Sequence, residues 1–189
     1  PGLEHNPGIG VLDTLNGTFN TVNMPGLESD NYAFWSGVAV GTKIYFAPYM
    51  EDAVGVYNTE TSTMSFISTA SVGLTGDHKF RGGTFIGTSI YFTPLNADAV
   101  LILDTTNETL STVSTGSVLT GNSKFTGAAA VGTKIYYAPS SPDDVYIFDT
   151  ESRTFDMVPM AGLVTGDGKF SGAVAAGTTV YFTPYNADA

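Results

Sequence analysis

Four aspartates recur along this chain at an almost constant step: Asp52, Asp98, Asp143 and Asp188, separated by 46, 45 and 45 residues. Each follows a proline-bearing turn (Pro48, Pro94, Pro139 and Pro184), so all four occupy one loop of a repeated unit. Carboxylates and loop carbonyls crowded on one rim are the donor set of a hard cation, and Ca²⁺ is the candidate metal for them. Aspartate also closes turns by accepting nearby backbone N–H groups, and that local role alone makes it recur. Both readings stay open. Asp30, Asp77 and Asp167 share a second loop, where the remaining unit has Asn122. Trp35, Tyr49 and Tyr185 are candidate stacking surfaces for a carbohydrate.

Other chemistry is thin. Histidine occurs only at His5 and His78, and no nucleophile–base pair or nitrogen-rich metal site can be assembled from them. Cysteine is absent, which removes disulfides and thiolate ligands. No glycine-rich phosphate loop leads from a strand into a helix. Lys+Arg 7 against Asp+Glu 18 gives a net charge of −11, which disfavours nucleic acid or an anionic membrane as partner. No apolar run approaches the ~20 residues of a membrane span. These residues predict no cofactor requirement and a chain that is not an enzyme.

The elements that carry these residues are strands. Phe80–Asp104 reads as Gly83–Ile86, then Ile90–Thr93 after a Gly-Thr turn, then Val100–Asp104 after a loop. Short apolar runs closed by Gly, Pro, Asn and Asp are strand signals. The same text starts at Phe34, Phe125 and Phe170. An outer hairpin follows each inner one, at Val54, Val100 and Val145. Its counterpart for the last unit is Ile9–Val22, near the other end of the chain. Joining Ala189 to Ile9 restores the repeat without a gap.

A period of about 45 residues with four strands per unit predicts an all-β, four-bladed β-propeller of four-stranded antiparallel blades, with its last blade closed by the N-terminal hairpin. The expected organisation is an arm over 1–8 and a single propeller over 9–189. Residues 9–31 form the outer half of the split blade with its connecting loop, and 32–79, 80–124 and 125–169 form full blades. Residues 170–189 form the inner half. Glycine and alanine at Gly37, Gly83, Ala128 and Ala173 suit strands crowded at an axis. Tyr45, Tyr91, Tyr136 and Tyr181 suit the packing between blades.

The inner phrase G-x-K-I-Y-F at Gly41–Phe46, with its variant at Gly132–Tyr137, and the phrase V-x-I-x-D-T at Val100–Thr105 resemble the repeats of kelch-like and YVTN-type propeller proteins. The resemblance covers nearly the whole chain and implies a propeller used for binding or scaffolding. Asn16-Gly-Thr and Asn107-Glu-Thr are N-glycosylation sequons in the outer hairpin turns, and with Ser/Thr-rich outer strands and scarce lysine they point to an extracellular or cell-surface protein. The functional expectation is a non-enzymatic extracellular structural, assembly or binding module that self-associates or meets an extracellular protein or glycan, and that can serve as the repeating unit of a filament. The alternative is a lectin-like or Ca²⁺-dependent binding protein. The split blade can close on its own hairpin or on that of a second copy, because the same edges and registers satisfy both.

Overall fold

The structure is a computed structural model that describes residues 8–26 and 32–188. His5 and Asp30 lie outside the described residues, as does most of the arm expected over 1–8. Sixteen strands and one turn of 3-10 helix at Thr69–Val72 make up the described chain. Blade 1 is β3 (Phe34–Val40), β4 (Lys43–Pro48), β5 (Ala53–Asn58) and β6 (Thr63–Ser68). Blade 2 is β7 (Phe80–Ile86), β8 (Ser89–Pro94), β9 (Ala99–Asp104) and β10 (Thr109–Ser114). Blade 3 is β11 (Phe125–Val131), β12 (Lys134–Pro139), β13 (Asp144–Asp149) and β14 (Thr154–Pro159). The split blade contributes an outer hairpin, β1 (Gly8–Asp13) and β2 (Thr18–Asn23), and an inner hairpin, β15 (Phe170–Ala176) and β16 (Thr179–Pro184). The inner strands β3, β7, β11 and β15 pack in succession about one axis. The architecture is the all-β propeller that the repeat predicts.

Two apolar layers join the blades. Tyr45, Val54 and Val56 of blade 1 pack with Phe80, Ile90, Phe92, Leu101 and Leu103 of blade 2. Val100 and Ile102 of blade 2 pack in the same way with Phe125, Ile135, Tyr137, Tyr146 and Phe148 of blade 3. Leu101 and Leu103 of β9 thus face the blade before it and Val100 and Ile102 the blade after it, as period-2 alternation requires of a strand covered on both sides. Near the axis the backbones come close. A Cβ built on Gly127 would stand 2.9 Å from the Cα of Gly172, so blade 3 and the inner hairpin of the split blade touch there main chain to main chain.

The closure of the last blade is corrected. β1–β2 and β15–β16 stand as separate two-stranded sheets, without the ladder that joins the second and third strands of each full blade. A tie is missing at this seam. Ala33 stands where the later blades place Lys79, Lys124 and Lys169, each of which bonds back to the preceding blade. A cleft of about 400 Å³ remains between Gly8–Gly10 and Phe34, Phe46 and Met24. Tyr181 is 57% exposed, whereas its counterpart Tyr45 is 1% exposed.

The outer hairpins turn on one device. The Asp13 carboxylate accepts from the N–H groups of Leu15 and Asn16, that of Asp149 from Glu151 and Ser152, and that of Asp104 from Thr106. Asn58 does the same for Glu60 and Thr61. Hydrogen bonds to the charged form hold the three carboxyls below the ordinary value of 3.8: the bond from Leu15 N–H leads at Asp13, the Thr106 hydroxyl at Asp104 and the Ser152 N–H at Asp149. Because the folded values are depressed, this stability is present above the ordinary value and is lost as pH falls below it through the folded ones. Replacing Asp104 and Asp149 by Asn, the residue blade 1 already uses, should flatten the acid limb of a urea-midpoint-versus-pH curve. It should leave the neutral midpoint nearly unchanged.

Candidate functional site

The recurring aspartates are occupied by lysines. The ammonium of Lys79 reaches back to blade 1, donating to Asp52 Oδ1 at 2.8 Å and to the Met50 carbonyl, with a third bond to the Gly76 carbonyl. Lys124 repeats this with Asp98 at 2.8 Å and the carbonyls of Asn96 and Gly121. Lys169 meets Asp143 at 3.1 Å and the Ser141 carbonyl. The lysine side chains are 2%, 1% and 0% exposed, so each ammonium depends on these acceptors for lost hydration. Asp188 instead lies in a bridge with Thr165. The four aspartates proposed for Ca²⁺ are therefore not brought together, and among the described residues no group of three or more metal-ligating side chains clusters. The lysine step was legible as Lys79, Lys124 and Lys169 at intervals of 45; its burial was not.

The structure does bring together a set that the repeat hides. Each inner strand opens with a bulge, between Phe34 and Gly37, Phe80 and Gly83, Phe125 and Gly127, and Phe170 and Gly172. A bulge adds residues to one strand and re-aims their side chains. The residues after the four phenylalanines are Trp35, Arg81, Thr126 and Ser171, and all four line one axial cavity of about 260 Å³ with Ser140 and Tyr185. The phenylalanine before each is constant, whereas these four are an indole, a guanidinium and two different hydroxyls.

The mouth is ordered by stacking. Arg81 Cζ sits 4.3 Å from the Trp35 ring centroid. Trp35 packs on Tyr49 at 4.8 Å, and Tyr49 on His78 at 4.7 Å. The Thr126 hydroxyl donates to the Phe170 carbonyl at 2.5 Å, tying blade 3 to the split blade. Arg81 Nε is buried without a hydrogen-bond acceptor among the described residues. Of the three residues expected to stack against carbohydrate, Trp35 and Tyr185 line the cavity and Tyr49 supports Trp35 from behind. His78, an exposed loop residue, closes the stack. Asn16 and Asn107 are both exposed in their hairpin turns. No described helix is long and apolar enough to cross a membrane.

Fold and site together define a β-propeller with a polar axial mouth. No family model matches the sequence, and no curated protein matches it. Solved structures do. Virginiamycin B lyase from Staphylococcus aureus superposes with a TM-score of 0.68 at 15% identity, over 94% of this chain and 56% of the lyase. A streptogramin B lyase structure gives 0.68 at 14% identity, over 94% and 55%. A chain of a nidogen/laminin complex gives 0.65 at 14% identity, over 94% and 64%. The chain thus spans just over half the length of the two lyases. Identities this low show the fold alone. They nevertheless correct the expectation that the chain is not an enzyme: that expectation leaned on a fold read as one for binding and scaffolding, and the same fold carries lyases.

If the buried lysines hold the blades in place, Lys124→Met should cost about 2–4 kcal/mol by chemical denaturation, because two carbonyls and a carboxylate lose their donor. Asp98→Asn, which keeps an acceptor beside the ammonium at a half-exposed position, should cost about 1 kcal/mol or less. Equal losses from the two variants would contradict the assignment.

Proposed function

We propose that this chain is an extracellular binding module that takes its ligand at the axial mouth. One observation carries the reading: the residues that follow the four repeated phenylalanines, Trp35, Arg81, Thr126 and Ser171, meet at one cavity and present an indole, a guanidinium and two hydroxyls to it. A concave site lined by a few convergent polar and aromatic groups of different kinds suits an asymmetric ligand. The exposed sequons at Asn16 and Asn107 support the extracellular reading, as do matches to structures described as extracellular domains from B. thetaiotaomicron. Trp35 is the sole tryptophan, so its fluorescence reports on the mouth directly. In a screen of neutral and acidic mono- and disaccharides, binders found by calorimetry should change Trp35 emission and be lost in Ser171→Phe, which fills the cavity. Binders that leave both unaffected would place the site elsewhere.

A second reading, assembly through the split blade, is favoured by the bared Tyr181 and the unpaired edge of β16. In the full blades Tyr45 stands opposite Val56, Tyr91 opposite Ile102, and Tyr136 opposite Ile147. The repeat then sets Tyr181 opposite Val11 of a second copy. Because the chain has no cysteine, Tyr181→Cys mixed with Val11→Cys should oxidise to a disulfide-linked dimer if edges join between copies. In the double variant, a monomeric internal bridge would mean closure within one chain, and no bridge in either format would contradict the seam register.

A further inference from the structure

The axial mouth contains one unmet demand. A guanidinium presents five N–H donors in a planar fork and cannot be deprotonated in a protein. Arg81 stands in the mouth without an ion pair among the described residues, and its Nε is buried without an acceptor. Every buried lysine nearby has its acceptors, which makes Arg81 the exception. A buried donor left unpaired is costly, and the side chain that carries it lines the cavity. The Trp35 ring beneath the guanidinium, backed by Tyr49 and His78, fixes its plane and leaves its fork for a planar acceptor.

We propose that the mouth is a carboxylate site: Arg81 receives the carboxylate of a small, singly charged ligand, and the ligand body lies against Tyr185 and the hydroxyls of Ser171 and Ser140. This rests on the reading of the mouth as a binding site and adds the ligand class. Three observations select a carboxylate over a phosphate. A single cation lines the cavity, with no second one to balance a dianion. No helix N-terminus faces it, the only described helix being the turn at Thr69–Val72. The net charge of −11 repels a dianion more than a monoanion. A cavity of about 260 Å³ suits a molecule of monosaccharide size.

Arg81 and Arg153 are the only arginines, so the arginine Nε–Hε region of an NMR spectrum holds two signals and Arg153 serves as the internal control. The probes are glucuronate, glucose and glucose 6-phosphate, read by the Arg81 Nε–Hε signal and by Trp35 fluorescence. Glucuronate should shift the Arg81 signal and change Trp35 emission while Arg153 stays in place. Arg81→Gln should weaken glucuronate binding by at least about tenfold, and Arg81→Lys, which keeps the charge and loses the fork, by less. Circular dichroism of each variant confirms that the fold is kept. Equal binding of glucose and glucuronate, or unchanged affinity in folded Arg81→Gln, would overturn the carboxylate and leave the mouth. Preference for glucose 6-phosphate would overturn it in favour of a phosphate. Silence of both reporters toward all three probes at saturating millimolar concentration would overturn both readings.

Discussion

A single run of backbone hydrogen bonds passes from blade to blade around the axis. Tyr49 N–H donates to the Ala33 carbonyl at 3.0 Å, Lys79 to Tyr49 at 3.1 Å, Leu95 to Lys79 at 2.9 Å and Lys124 to Leu95 at 2.9 Å. Ser140 then donates to Lys124 at 2.9 Å, Lys169 to Ser140 at 3.1 Å and Tyr185 to Lys169 at 2.8 Å. Each lysine in this run also sends its ammonium back to the preceding blade, so main chain and side chain fix the same step twice. Apolar layers between blades are strong but non-directional. The relay adds direction, and with it the spacing at which four bulged strands can share one cavity.

The consequence is a division of labour between neighbouring residues. Phe80, Phe125 and the lysines before them are buried and shared among blades, and they hold the strands in place. One residue further on, the bulge releases the side chain from the interblade layer toward the axis. Trp35, Arg81, Thr126 and Ser171 are thereby free to differ without disturbing the packing that holds them. Ser140 and Tyr185 belong both to the relay and to the cavity wall, which couples the mouth to the ring.

Much of the fold was legible from the repeat, because a period near 45 with alternating apolar runs leaves few architectures. The seam was not. Text at the two ends joins in sequence, but the strength of the join depends on Ala33 in place of a buried lysine, and that is a matter of packing. The aspartates were legible as recurring and misleading as ligands, since nothing in their spacing reveals a lysine arriving from the next blade. The mouth was hidden for the opposite reason. A search for repeated residues passes over Trp35, Arg81, Thr126 and Ser171 because they do not repeat, and only the bulge brings them to one place. Trp35 and Tyr185 were found as stacking surfaces from residue type alone; their nearness to Arg81 was not visible.

The central claim is that the mouth residues serve binding while the relay and its lysines serve the fold. The direct measurement is the thermal midpoint of a variant carrying threonine at all four mouth positions: Trp35→Thr, Arg81→Thr and Ser171→Thr beside the native Thr126. The account predicts a midpoint within about 4 °C of the parent, the shift expected for roughly 1 kcal/mol in a chain of this size. A fall of more than about 10 °C would mean that the indole and guanidinium hold the ring together, and would contradict the account.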